Sequence, residues 1–205
     1  MHVQRSGWTR VRPNISLKQQ LDWKDFVIVQ TPIGRIEFEA IASGAPLLEP
    51  EVRFLDRAFS PELPPGMKVE KVVAVIVLLK PASHLRNVSV RCRWLDQLQV
   101  VADPESGEHL DAQSWQTQGR IVTVGTEDFE ALHASLPQCG FAERDYPVQY
   151  HPHGIEIHVP LGPSNYPTSF HFVVAINSWP ESTECSAWYA VDVPHKAVLA
   201  LLSGS

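Results

Sequence analysis

The chain has 205 residues, 44% of them hydrophobic and 20% charged, and its net charge is −6 at neutral pH. This composition excludes a disordered chain and supplies enough apolar material for a core that needs neither disulfides nor a metal. We therefore expect one globular domain, 1–205, with 103–119 as the alternative point of division. The longest apolar run, 72–79, is too short for a helix that crosses a membrane.

The amino terminus and the cysteines indicate the cellular compartment in which the protein is expected. Residues 1–12 contain no apolar run of the length that a secretory signal needs, so we expect no export by that route. Cys92, Cys139 and Cys185 are too few and too scattered for a disulfide framework. A reducing compartment, the cytoplasm, is therefore expected.

Alternating apolar and polar residues predict a hairpin near the start of the chain. The segments 26–30 and 35–41 alternate on either side of the turn-forming tetrad 31–34. Ile36 and Phe38 are expected to face the core, and the glutamates between and beside them are expected to face solvent.

Two further strands are predicted before residue 100. The unbroken apolar run 72–79 is typical of a central strand that is buried on both faces. The segment 88–94 alternates apolar residues with serine and arginine, which predicts a strand with one wet face and places Cys92 in the core.

Helical patterns are fewer. The clearest is 127–136, which follows Thr126 as cap and has acids in its first turn and apolar residues at helical spacing. Weaker candidates are 16–23, 51–59 after a proline, and a terminal turn or two over 194–202.

The last third of the chain predicts a three-strand meander over 154–159, 170–176 and 187–193, joined by loops rich in proline, serine, asparagine and glycine. Together these elements predict an α+β fold that is predominantly antiparallel β. It would comprise a central mixed or antiparallel sheet, a few short helices and this C-terminal three-strand meander.

Charge is divided unevenly between the halves of the chain. Residues 1–100 contain 14 lysines and arginines against 10 acids, whereas residues 101–205 contain 3 against 13. An acidic surface disfavours nucleic acid and attracts basic proteins. We therefore expect a basic protein partner, and neither nucleic acid nor membrane as partners.

Motifs of known chemistry are missing. The glycines form no phosphate loop, and no nucleophile elbow, His-Glu-x-x-His helix or EF-hand loop occurs. Cys139 follows the carboxyl end of a predicted helix, where the helix dipole disfavours a thiolate. We therefore predict no catalytic residue and no cofactor.

Clustered histidines give the alternative, which is a small metal-dependent enzyme or a metal-binding domain. His151 and His153 are the candidate ligands for zinc or another divalent metal, joined by Glu156, His158 and His171. The run resembles the first metal motif of cupins, in which His-x-His precedes a glutamate and a glycine, although its histidine-to-glutamate gap is shorter. On a straight strand the two histidine candidates face away from Glu156 and His158.

Size, acidity and missing catalytic motifs favour a non-catalytic protein-binding protein of the cytoplasm. A bacterial immunity protein that inhibits a basic toxin through its acidic C-terminal half is the example by analogy. The expected partner-binding residues are the acids, histidines and aromatics of the last third: Glu156, His158, His171, Trp179, Glu181, Glu184, Trp188 and Asp192.

Overall fold

The computed structural model describes most of the chain beyond residue 20. The described ranges are 21–42, 52–82, 86–98, 100, 102–106, 110–136, 139, 146–163 and 167–202. Within them, eleven strands form two antiparallel sheets.

One sheet has five strands, which run in the order β1 (Val27–Thr31), β2 (Gly34–Ala42), β5 (Arg86–Trp94), β10 (Gly154–Leu161) and β9 (Val148–His151). Its outer face is polar because each strand alternates. Ion pairs cross that face between β2 and β5, with Arg91 to Glu39 at 3.1 Å and Arg93 to Glu37 at 2.9 Å.

The other sheet has six strands, in the order β3 (Val52–Phe59), β4 (Lys71–Leu79), β11 (Thr168–Ser178), β8 (Arg120–Glu127), β7 (Leu110–Thr117) and β6 (Ala102–Ser106). Its inner face packs on the five-stranded sheet around a shared apolar core. Aromatic rings join the two sheets, with the ring centroids of Phe38 and Phe172 5.3 Å apart and those of Trp94 and Trp115 5.6 Å apart.

A layer of short helices covers the outer face of the six-stranded sheet. This layer consists of α2 (Ser186–Val191), α3 (His195–Leu199) and a 3-10 turn (Ala200–Leu202). Val191 and Val198 are buried against the sheet in a second apolar cluster. Strands β4 and β11 are therefore enclosed on both faces, which explains why β4 after its first residue and the centre of β11, residues 172–176, are apolar without interruption.

A third helix, α1 (Phe129–Ser135), follows β8 directly. The side chain of Asp128 caps it by accepting a hydrogen bond of 2.8 Å from the backbone N–H of Ala131. Leu132 and Leu136 are buried in the core between the sheets, so α1 closes one end of the sandwich. The predicted helix over 127–136 is confirmed, but Asp128 and not Thr126 is its cap.

The predicted fold class is confirmed, since the protein is α+β and mainly antiparallel β. The hairpin of β1 and β2, the buried strand β4 and the alternating strand β5 with buried Cys92 are confirmed as well. The turns over 194–202 are also confirmed. The helix proposed over 16–23 lies mostly outside the described residues.

Two predictions are wrong. The C-terminal three-strand meander does not exist, because β10 and β11 belong to different sheets and 187–191 is part of helix α2. Segment 51–59 is not a helix, since residues 52–59 form β3. Both segments are short, with apolar residues that fit either a helix or a strand, and in such segments neighbouring layers decide between the two.

Within the described part of the chain, every helix is too short or too polar to span a lipid bilayer.

Gly125 marks a close contact between β8 and the helical layer. A β-carbon at this position would lie 2.8 Å from Cβ of Val191 and 2.9 Å from Cδ1 of Leu110. Gly125→Ala is therefore expected to lower the free energy of unfolding by about 1–3 kcal/mol. Adding Leu110→Ala removes the clash with Cδ1, so the double variant should be more stable than the sum of the single effects predicts. Urea unfolding measures this coupling, and purely additive effects would contradict the close contact.

Candidate functional site

Neighbouring strands bring a histidine and a glutamate together on the helix-covered face. The ladder between β11 and β8 pairs Phe172 with Thr126 and ends there, so His171 and Glu127 face each other at the next position. His171 lies on the same face as Val173 and Ala175 because side chains two residues apart share a face. Two ionisable groups thus lie at the edge of a mostly apolar layer.

The helical layer adds a second histidine. His195 begins α3 directly after Pro194, and Val198 in the next turn anchors the helix against the sheet. The imidazole of His195 stacks on that of His171, with ring centroids 5.2 Å apart and planes 9° apart. Glu127, His171 and His195 are called the buried triad below.

The buried triad is compact and almost closed to solvent. Nδ1 of His171 lies 3.0 Å from Nδ1 of His195 and 3.5 Å from Oε2 of Glu127, and the third side of the triangle, from His195 Nδ1 to Glu127 Oε2, measures 3.8 Å. The exposed fractions of the side chains are 6% for Glu127, 1% for His171 and 13% for His195. One atom of each residue therefore points into the same small space.

Two serine hydroxyls contact the outer atoms of the triad. Ser135 donates a hydrogen bond of 2.8 Å to Oε1 of Glu127, and Oγ of Ser169 lies 3.0 Å from Nε2 of His195. Oε2 of Glu127 is buried and has no hydrogen-bond partner among the described residues. A buried carboxylate oxygen without a partner is costly, and a cation or proton donor in the space it faces would satisfy it.

The surroundings of the triad lower the pKa of both Glu127 and His195. Burial by itself raises the pKa of Glu127, but the proximity and charge of His171, the charge of His195 and the Ser135 hydroxyl outweigh it, so this pKa lies below its usual value. Burial lowers the pKa of His195 to about 4, against the opposing charge of Glu127. Near neutral pH the triad thus contains a carboxylate and an uncharged His195, the forms that bind metals.

The distances within the triad match those around a metal ion. A tetrahedral zinc ion with bonds of about 2.0–2.1 Å holds its ligand atoms about 3.4 Å apart. The three distances of 3.0, 3.5 and 3.8 Å lie around that value. Two imidazole nitrogens and one carboxylate oxygen also form a common ligand set for zinc and iron.

A second buried carboxylate, Asp111, provides a contrast. Tyr146 and Tyr150 donate hydrogen bonds to it at 2.7 and 2.5 Å, and they reach both of its oxygens. Burial raises the pKa of Asp111 despite these bonds, and burial and the aspartate raise the pKa of both phenols. Both oxygens of Asp111 accept hydrogen bonds from neighbouring tyrosines. Oε2 of Glu127, in contrast, accepts no hydrogen bond from the described residues.

The histidine cluster predicted for a metal is split between the two sheets. His171 belongs to the buried triad, while His151, His153, Glu156 and His158 lie on or beside the outer face of the five-stranded sheet. The chain reverses between β9 and β10, which puts His151 on the same face as Glu156 and His158, unlike on a straight strand. Glu156 lies 3.6 Å from Nε2 of His151 and 3.8 Å from Nε2 of His158, and these imidazoles are largely exposed.

The expected partner-binding residues also occupy several places. Glu156 and His158 lie on the outer sheet face, and His171 lies inside the protein. Trp179, Glu181, Glu184, Trp188 and Asp192 all belong to the stretch from the end of β11 through α2. Glu181 accepts hydrogen bonds from Asn177 at 2.7 Å and from the backbone of Ala187 at 2.8 Å, so it ties this stretch together.

The cysteines do not contribute a nucleophile to the triad. Burial raises the pKa of the Cys139 thiol to about 11 and that of Cys92 to about 12, so both are protonated at neutral pH.

Sequence reasoning missed two of the three residues of the triad. Glu127 stood at the start of a predicted helix, and His195 stood alone in a predicted terminal turn. A usable signal was present at His171, since a histidine between two phenylalanines in a buried strand needs a polar partner. The partners lie 44 and 24 residues away in sequence, so spacing could not identify them.

Comparisons of this chain with protein-family models, with curated proteins and with solved structures found no match.

The low pKa of His195 predicts acid sensitivity of the metal-free protein. The unfolded histidine takes up a proton near pH 6.5, whereas the folded one does so only near pH 4. Stability is therefore fully present above about pH 6.5 and falls, by on the order of 2–3 kcal/mol, as the pH drops towards 4.

Urea unfolding in the presence of a chelator, repeated across that pH range, measures the effect. His195→Gln should flatten the pH dependence, while the control His153→Gln, in an exposed turn, should leave it unchanged. Equal slopes for wild type and His195→Gln would contradict a buried, uncharged His195.

Proposed function

We propose that this protein binds a divalent transition metal through Glu127, His171 and His195, and that its function depends on the bound metal. The observation that supports this most strongly is the convergence of three ligand atoms within 4.8 Å of one another. The unpartnered Oε2 of Glu127 is one of these atoms. A metal ion would satisfy this oxygen and both Nδ1 atoms at once.

The ligand set favours zinc among the common ions. Calcium and magnesium prefer oxygen ligands, whereas two imidazoles and one carboxylate suit zinc, iron and their neighbours. Zinc has no redox chemistry and accepts four ligands, so three protein ligands leave one position for water or a substrate. A metal in such a site lowers the pKa of its bound water and polarises carbonyl or phosphoryl oxygens.

Metal binding must move a proton within the triad. With Nδ1 of His171 only 3.0 Å from Nδ1 of His195, one of these nitrogens donates a hydrogen bond to the other. A metal needs a lone pair on both nitrogens, so this proton moves to Nε2 of the same ring. Protons compete with the metal for the ligand lone pairs, so metal affinity should fall as the pH decreases.

Metal titration of untagged, chelator-treated protein tests the proposal. We expect about one equivalent of zinc to bind and to raise the melting temperature, an effect that a chelator reverses. Glu127→Gln and His195→Gln each remove a ligand at nearly constant shape and should abolish stoichiometric binding.

The exposed histidines provide the matched control. His151→Gln and His158→Gln should leave zinc stoichiometry unchanged, because their side chains lie on the other sheet. Binding of less than about a tenth of an equivalent by wild type would refute the metal site. Equal loss in the control variants would place the site on the outer face instead.

A second candidate function is binding of a basic protein partner, such as a toxin neutralised in the cytoplasm by an immunity protein. The segment 179–192 favours it, because it exposes the aromatic rings of Trp179 and Tyr189 beside Glu184 and Asp192. Exposed aromatics commonly provide most of the affinity at protein interfaces, and acids speed association with a basic surface.

Capture from the native host followed by binding measurements on the purified basic partner tests this candidate. Trp179→Ala should weaken its affinity by at least about tenfold, and association should slow as salt rises. The control is Phe26→Ala, which removes a ring that is more exposed than Trp179 and lies beside β1 in the other sheet. Salt-insensitive association, or equal losses in the two variants, would contradict this surface.

A further inference from the structure

The contact between Ser169 and His195 bears on which nitrogen of His195 is free. Oγ of Ser169 lies 3.0 Å from Nε2 of His195, on the far side of the ring from the space shared by the triad. Ser169 lies on the helix-covered face of β11, two residues before His171. One strand therefore supplies both a triad residue and the hydroxyl that touches the other histidine.

We propose that Ser169 is a positioning residue that orients the ring of His195, with Nε2 towards its hydroxyl and Nδ1 towards the space shared by the triad, and that it accepts the Nε2–H hydrogen bond when a metal binds Nδ1. This inference rests on the proposed metal-binding function. A neutral imidazole has one donor nitrogen and one acceptor nitrogen, so a metal that takes the lone pair of Nδ1 leaves the proton on Nε2. The hydroxyl oxygen of Ser169 then lies in place to accept that proton's hydrogen bond.

The alternative tautomer of His195 would disable the triad. With its proton on Nδ1, His195 would donate towards Nδ1 of His171 or Oε2 of Glu127, which lie 3.0 and 3.8 Å away. The three groups would then satisfy each other, and the lone pair required by the metal would be missing. A metal bound at Nδ1 excludes this tautomer and leaves on Nε2 the proton that the Ser169 hydroxyl accepts.

Ser135 acts on the carboxylate in the same way. Its hydroxyl donates to Oε1 of Glu127 at 2.8 Å, which leaves Oε2 as the free oxygen that faces the histidines. The backbone carbonyl of Ser135 accepts a hydrogen bond of 3.1 Å from the hydroxyl of Thr168, the residue before Ser169. The first two residues of β11 thus link the two serines: Thr168 contacts Ser135, which bonds Glu127, and Ser169 contacts His195.

Zinc affinity of the full chain, measured by competition with a chromophoric chelator, tests the proposal. Ser169→Ala should raise the zinc Kd by about 10–100-fold, as is usual when an outer-shell partner of a ligating histidine is lost. Ser169→Thr keeps the hydroxyl and should stay within about threefold of wild type.

Nitrogen chemical shifts of His195 in the zinc-loaded wild type give a readout that needs no variant to fold. We expect the pattern of an imidazole that binds zinc through Nδ1 and carries a proton on Nε2, and zinc bound through Nε2 would overturn the inference. The control is Ser114→Ala, which removes a buried hydrogen bond to Thr123 elsewhere in the same sheet and should leave zinc affinity unchanged.

The outcomes separate the inference from the function on which it rests. If wild type binds no zinc, the proposed function fails. If wild type binds zinc and Ser169→Ala binds it equally well, or if Ser114→Ala loses as much affinity as Ser169→Ala, the positioning role fails while the metal site stands.

Discussion

Burial of the six-stranded sheet on both faces is the constraint on which the rest of the structure depends. One face packs on the five-stranded sheet, and the other packs on α2, α3 and the 3-10 turn. The central strands β4 and β11 must therefore be apolar on both sides, and any polar side chain among them must find a partner inside the protein. The helical layer is short, but without it the outer face of the sheet would expose a large apolar surface.

The buried triad is a local exception to this constraint. His171 and Glu127 interrupt the apolar layer at neighbouring positions of β11 and β8, and His195 covers them from α3. The same burial that makes the carboxylate costly keeps His195 uncharged and excludes water from the space between the three side chains. In the proposed metal site, apolar packing therefore sets the rigid frame and the two serines set the orientation of the ligands.

The two candidate functions use different parts of one layer. The metal would bind beneath α3, and a basic partner would contact the exposed aromatics of 179–192 around α2. Both helices pack on the same sheet, and Gly125 lets α2 approach β8 closely enough to bury Val191. The packing of this layer thus affects the position of His195, the third proposed metal ligand, and of the exposed rings of Trp179 and Tyr189.

The sequence by itself determined those strands whose apolar and polar residues follow directly from whether each face of the strand is buried or exposed. The hairpin of β1 and β2, the alternating strand β5 and the doubly buried β4 could all be predicted, because a side-chain period of two needs no knowledge of distant residues. The prediction of a strand over 187–193 failed, because a short apolar segment packs equally well as a helix when a sheet lies beneath it. The grouping of Glu127, His171 and His195 was decided only by the tertiary structure. Strand pairing and helix docking join residues far apart in the chain, and no local spacing encodes that contact.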